Sequence, residues 1–246
     1  MSSGRLAAAF GARLDRTRRV GFEFNGRALT GFAGDTLASA LLANGIRVVG
    51  RSFKLHRPRG IFSCGIEEPN CLVDIGRGAL RTPNQRATVV ELDDGLYAAS
   101  VNCWPSVGFD LGAINGWFSA VLPAGFYYKT FKWPSWHLFE PAIRRMAGLG
   151  RASGLPDPDR YEEASATADV AVIGGGICGL SAALAAAQGG ADTLLVSSAA
   201  VLGGSLGWRR DAEIDALIGE VRRAGVRILT RTLAFGIYDH GLVCAR

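Results

Sequence analysis

Hydrophobic and polar residues alternate through residues 20–24 and 27–32, on either side of Asn25-Gly26. That pattern predicts two strands joined by a tight turn, because Asn-Gly readily supplies two successive positive φ values. Residues 36–44 change to helical spacing, with Leu37, Leu41 and Leu42 on one face, Asp35 as the cap and Gly45 as the stop. Beyond Arg57-Pro58-Arg59-Gly60, the apolar run 71–75 reads as a strand, and residues 88–92 and 96–101 alternate about Asp93-Asp94-Gly95 as a second hairpin. Hairpin, helix and further strands over residues 20–103 predict an α+β domain of the β-grasp kind.

Residues 104–150 break this pattern. They are dense in aromatics, among them Trp104, Phe109, Trp117, Phe118, Phe126, Tyr127, Tyr128, Phe131, Trp133, Trp136 and Phe139. Helical spacing recurs over 110–122 and 136–149, and the rings either cover the sheet or form a docking surface for another subunit. Residues 151–167 carry Pro, Gly, Ser and charge without apolar period and read as a linker. Residues 168–246 then open with a buried-strand pattern at 168–173, a run of glycines and a helix at 180–188, followed by a strand at 193–196 and strand-like stretches at 227–232 and 237–244. This is the pattern of a partial α/β, Rossmann-type dinucleotide-binding domain.

The strongest chemical signal lies in that turn: Gly174, Gly175, Gly176, Ile177, Cys178 and Gly179, a G-x-G-x-x-G between strand and helix. Gly174 allows the tight turn, Gly176 lets backbone approach a pyrophosphate, and Gly179 allows close helix–strand packing. The N–H groups of the helix start then point at phosphate. At the end of the next strand, where an acid commonly bonds the ribose hydroxyls, the chain has Ser197 and Ser198; Asp192 precedes that strand. Gly204 and Ser205 complete the candidate cofactor-binding set. Ser197 and Ser198, with Arg209 and Arg210 as counter-charges, leave NADP open beside NAD.

Of the 246 residues, 48% are hydrophobic and 20% charged, which excludes disorder for most of the chain. No uninterrupted apolar run approaches the roughly 20 residues of a spanning helix, so no membrane partner is expected. Net charge is +5, distributed as 20 basic against 13 acidic residues over 1–160 and 7 against 9 over 161–246. That asymmetry supports two units, while the scattered arginines carry no recognition motif and no nucleic-acid partner is expected. Arg-rich residues 1–19 read as a flexible basic arm, a transit peptide being the other meaning of such a composition.

The five cysteines (Cys64, Cys71, Cys103, Cys178, Cys244) are dispersed and odd in number, which points to a reducing compartment and a cytoplasmic protein. A plant-type [2Fe–2S] site needs C-x4-C-x2-C and a distant fourth thiolate. Cys64 and Cys71 have six residues between them, with Glu68, Pro69 and Asn70 where a middle cysteine belongs, so no iron–sulfur cluster and no other metal is expected. His56, His137 and His240 are isolated, and no nucleophile–base grouping marks a catalytic residue.

Several longer strings carry a resemblance. Residues 34–45 (GDTLASALLANG), Arg51-Ser52-Phe53-Lys54, residues 56–61 (HRPRGI), Glu68-Pro69-Asn70, residues 124–131 (AGFYYKTF), residues 140–145 (EPAIRR) and Leu202-Gly203-Gly204-Ser205-Leu206 resemble the N-terminal region of the alpha subunits of heterotetrameric sarcosine oxidases. The resemblance implies a ferredoxin-like domain without its cluster, joined to a domain binding NAD, with FAD, FMN and tetrahydrofolate held by other subunits and regions; FAD in place of NAD is an alternative reading of the glycine turn. It also implies docking to a flavin-bearing beta subunit in a complex that demethylates sarcosine oxidatively to glycine. Such an alpha subunit is about four times longer, so the chain reads as the N-terminal portion of one. The alternatives are a small module of a split amino-acid dehydrogenase or an inactive truncated fragment.

Overall fold

The structure is a computed structural model that describes residues 4–7, 14–117, 119, 131–146, 150, 153–208 and 212–246. The chain falls into two compact units, the first built on Leu14–Arg160 and the second on Tyr161–Arg246.

The first unit opens with strands β1 (Asp15–Phe24) and β2 (Arg27–Ala33), antiparallel about Asn25 at φ 51° and Gly26 at φ 79°. Both turn residues take the left-handed values expected of Asn-Gly. The short helix α1 (Leu37–Ala43) follows. Its cap is Thr36 rather than Asp35: Thr36 Oγ1 accepts the Ser39 N–H and Ser39 Oγ accepts the Thr36 N–H, a reciprocal capping arrangement. The Asp35 carboxylate is used elsewhere, accepting the Phe32 N–H, Ser39 Oγ–H and the Arg5 guanidinium at 2.5 Å. Arg5 also lies over the Phe32 ring. The residues expected as a flexible arm over 1–19 are therefore partly ordered, since β1 begins at Asp15 and Arg5 is tied to a buried acid.

A two-residue ladder, β3 (Gly50–Arg51) with β4 (Pro58–Arg59), precedes β5 (Leu72–Ile75), β6 (Thr82–Arg86) and β7 (Leu96–Ser100). The main sheet runs β2-β1-β7-β5-β6, with β7 parallel to β1 and antiparallel to β5. The hairpin expected between 88–92 and 96–101 does not form. Residues 88–92 run under α1 instead, with the Val90 carbonyl accepting the Leu37 N–H and the Asp35 carbonyl accepting the Leu92 N–H. Leu92 alternates as a strand residue would because it is a core residue packed with Leu37, Leu41, Val20, Phe22 and Val73. The expected strand at 96–101 does form, as β7, but it pairs with β1 and β5, and β5 takes on its other side the polar strand β6, which was not expected.

Beyond the sheet, the described part of the helix expected over 110–122 holds a 3-10 segment at Leu111–Gly116, and residues 120–122 lie outside the described residues. The Asp110 carboxylate starts it, accepting the Gly112 and Trp104 N–H groups and lying 2.7 Å from His56 Nδ1. Helix α2 (Trp136–Met146) occupies most of the second expected helix. The string 124–130 and the residues Phe118, Arg209 and Arg210 lie outside the described residues.

The second unit contains β8 (Val170–Ile173), α3 (Ile177–Gln188), β9 (Thr193–Val196), α4 (Ala212–Arg223) and β10 (Arg227–Leu229). The three strands are parallel in the order β10-β9-β8. Leu180 and Ala183 of α3 and Val221 of α4 are buried against Leu195, with Val172 and Ile228 beside them. A hairpin, β11 (Ala234–Ile237) with β12 (Val243–Ala245), stands where a single strand was expected at 237–244. Among the described residues no helix is long and apolar enough to cross a membrane.

Candidate functional site

The carboxyl end of β8 turns at Gly174, whose φ of 110° belongs to the region that favours glycine. The Gly174 N–H donates to the Val196 carbonyl, so the turn stays fastened to the neighbouring strand. At Gly179, one turn into α3, a Cβ would stand 1.8 Å from the Gly174 carbonyl oxygen. Only hydrogen fits there, and the helix start is thereby held against the strand end. Gly175 is equally confined, because a Cβ would meet Leu202 and the Ser197 side chain within 2.7 Å. Gly176 differs: nothing lies within 4 Å of where its Cβ would be. Its missing side chain faces open space above the helix.

The helix itself starts without its own anion. Gly176 is the N-cap and offers no side-chain hydrogen bond, and no acidic residue stands in the first turn. The first N–H groups of a helix have no partner within the helix, and the helix dipole places partial positive charge there. An uncapped N-terminus at the carboxyl end of a parallel sheet is suited to holding a phosphate.

A second loop closes over this turn. The Gly203 N–H donates to the Gly175 carbonyl at 2.8 Å, and Gly204, at φ 57°, lies so close that a Cβ would be 3.0 Å from Gly176 Cα. Of the predicted residues, Gly174, Gly175, Gly176, Gly179, Ser197 and Gly204 are brought together. Ser198 and Ser205 are exposed on the flanking loops, and Ile177 and Cys178 are exposed on the first turn of α3. Asp192 lies at the opposite end of the sheet, bonded to Arg227 and, through its N–H, to Asp169. Sequence reasoning missed Gly203 and Leu202, whose only signal was their place in the Leu-Gly-Gly-Ser string.

The first unit contains a different polar centre. The Glu68 side chain, 1% exposed, accepts four backbone N–H groups: Phe62 at 2.8 Å and Ser63 at 2.5 Å on one oxygen, Asn70 at 2.7 Å and Cys71 at 3.0 Å on the other. Burial by itself would raise the pKa of this carboxyl. The donors from Ser63, Asn70, Phe62 and Cys71 together outweigh it and hold the group below the usual carboxylate range. Beside it, burial and the Glu68 charge push the Cys71 thiol up to about 12. Burial, then the charge of Asp110, also raises Cys103, whereas Cys64 is exposed. The sequence places Glu68 where a middle cysteine would belong and in the Glu68-Pro69-Asn70 string, and neither reading gives its carboxylate a role. A buried glutamate gives no signal in a polar loop sequence.

Two family models match the chain. One, described as a 2Fe-2S iron-sulfur cluster binding domain, covers residues 17–103, and one described as FAD dependent oxidoreductase covers residues 169–214. These matches correct the expected cofactors: the first unit has the fold of a cluster-binding domain, against the expectation of no cluster, and the second fits a flavin rather than NAD. The thiols as folded do not form a ligand set. Cys71 is buried in the core while Cys64 is exposed, and among the described residues no three His, Cys, Asp or Glu side chains converge on a metal position.

The solved structure of L-proline dehydrogenase from P. horikoshii shares the fold over 100% of this chain and 39% of its own, with a TM-score of 0.53 at 19% identity. Sarcosine oxidase subunit alpha from Rhizobium meliloti (strain 1021) is 52% identical over 97% of this chain, and that from Corynebacterium sp. (strain U-96) is 32% identical over 98%. This chain spans 25% and 22% of the length of those two proteins. The chain is thus homologous, almost from end to end, to about a quarter of a sarcosine oxidase alpha subunit.

Proposed function

We propose that this chain is the part of a sarcosine-oxidase-type oxidoreductase that holds the pyrophosphate of FAD, acting with a flavin-bearing beta subunit in the oxidation of sarcosine to glycine. The observation that carries the reading is the open, uncapped turn at residues 174–179, with Gly176 facing free space and Gly203 and Gly204 closing its far side. Bound there, FAD would supply the hydride acceptor that no side chain of this chain provides. The chain's own part is positional. The backbone N–H groups of Gly176, Ile177 and Cys178 face the phosphates, and Ser197 props the loop from beneath.

Docking is assigned to the aromatic segment. Trp104, Phe109, Trp117 and Trp133 are all exposed, and aromatic side chains are enriched at protein interfaces. Asp110 holds the start of this segment to His56, which gives the rings a fixed base.

Titration of the purified chain with FAD, followed by flavin fluorescence, tests the cofactor assignment. Saturable quenching is expected, weakened at least tenfold in Gly176→Ala, whose methyl group would stand where phosphate approaches. Absence of saturation in the parent chain, or equal affinity in the variant, overturns it.

A further inference from the structure

The glycine turn lacks the acid that usually accompanies it. In a dinucleotide fold a carboxylate at the end of the second strand bonds the ribose hydroxyls. Here β9 ends at Val196 and is followed by Ser197 and Ser198. Ser197 is 5% exposed, its oxygen lying 2.7 Å from where a Gly175 Cβ would stand, so its hydroxyl is turned under the loop. Ser198 is exposed, but a neutral hydroxyl makes a hydrogen bond only about half as strong as an ionised carboxylate does. Asp192 precedes β9 and stands at the opposite end of the sheet.

Helix α4 brings another acid to the right end. The helix that joins two parallel strands runs back against them, so its first turn stands at their carboxyl ends. Asp215 is in that first turn. The loop after β9 is fastened to the segment after β10: the Ser197 N–H donates to the Leu229 carbonyl, the Thr232 N–H to the Ser197 carbonyl and the Arg231 N–H to the Ala199 carbonyl. Against α4 this region leaves a groove of about 360 Å³, with Val201, Leu202 and Thr230 on one side and Asp215, Ile218 and Arg222 on the helix side. That volume is within the range of small-ligand sites. Leu202 also borders the turn, its Cδ2 lying 2.6 Å from where a Gly175 Cβ would stand, so groove and turn share a wall. Arg222 is two turns further along α4, roughly 10 Å at 1.5 Å per residue. Among the described residues the exposed Asp215 carboxylate takes no ion pair or hydrogen bond.

We propose that Asp215 supplies the ribose contact that β9 lacks, and that it sets the specificity of the site. Its carboxylate accepts the 2′- and 3′-hydroxyls of an adenosine lying in the groove, with Val201 and Ile218 as apolar walls. The ligands selected are adenosine diphosphates with a free 2′-hydroxyl, because a carboxylate there has no proton to give a deoxyribose and repels a 2′-phosphate. The proposal rests on reading residues 174–179 as a pyrophosphate site.

Calorimetry of the purified chain with ADP and with 2′-deoxy-ADP tests it. ADP is expected to bind at least fivefold tighter than 2′-deoxy-ADP. Asp215→Asn, at an exposed position, should lower ADP affinity at least fivefold and bring the two ligands within twofold of each other, whereas Asp192→Asn should leave their ratio unchanged. An acid that only complements the helix dipole would alter thermal unfolding of the chain and not that ratio. Equal affinities in the parent, a preference that survives Asp215→Asn, or one that is lost in Asp192→Asn overturns the proposal. A chain that binds ADP and FAD without regard to Asp215 keeps the pyrophosphate reading and loses this one; a chain that binds neither loses both.

Discussion

The loop of residues 62–71 and the turn of residues 174–179 both gather backbone N–H groups, but around different partners. In the first unit four N–H groups close on the chain's own Glu68 carboxylate. In the second the helix begins with no side-chain cap and no acid in its first turn. A cradle filled by a covalently attached anion is part of the fold, because its charge is always present and satisfies the donors whenever the loop forms. A cradle without one leaves its donors to water or to a ligand, and it is the place to expect external phosphate.

The sharpest way to break this comparison is to remove the internal anion. Glu68→Gln keeps the shape but weakens four charge-assisted bonds, and it should destabilise the first unit by about 3 kcal/mol in urea unfolding. A loss below about 0.5 kcal/mol would show that the carboxylate is not what holds the loop.

The pH dependence reads the same group without mutation. Its folded value is lowered from 4.5, so its contribution is complete above about 4.5 and drains away as pH falls through the lower folded value. Unfolding of the parent should therefore become steeply easier on acidification below 4.5. Glu68→Gln should lack that component, and parallel curves for the two proteins would assign the acid sensitivity elsewhere.

At the open cradle the expected effect is on binding alone. Gly176→Ala should leave thermal unfolding of the second unit within about 0.5 kcal/mol of the parent, since its methyl group meets no atom. It should nevertheless weaken FAD tenfold, a difference of about 1.4 kcal/mol. A large loss of stability would mean that the space at Gly176 is structural, as it is at Glu68.

A smaller effect comes from the arm. Arg5→Ala removes a partly buried pair with Asp35 and a guanidinium stacked on Phe32, and it should cost the first unit about 1 kcal/mol. The smallest expected effect is at Cys178: exposed on the first turn of the helix, its change to Ser should alter neither stability nor FAD affinity measurably.

Much of this was legible because it is local. Asn25-Gly26 dictates a left-handed turn from its own stereochemistry, and Gly174, Gly176 and Gly179 announce a strand–turn–helix by spacing. The misreadings arose where distant groups compete for a residue. Asp35 has the side chain of a helix cap, yet Arg5 and the Phe32 N–H claim it and Thr36 caps instead. Residues 88–92 alternate like a strand, but the buried face they match is that of α1, and their backbone bonds go to Asp35 and Leu37. The polar strand β6 is ordered by its pairing with β5, not by its own side chains.

By itself the sequence determined the two-unit plan, the first hairpin, the glycine turn and the kinship with sarcosine oxidase alpha subunits, all of which depend on neighbouring residues or on matching strings. Only the tertiary structure decided that Glu68 is buried under four N–H groups and that Gly203 closes the turn. Those are relations between segments remote in sequence. They are set by burial and strand order, which a linear pattern of polar and apolar residues does not encode.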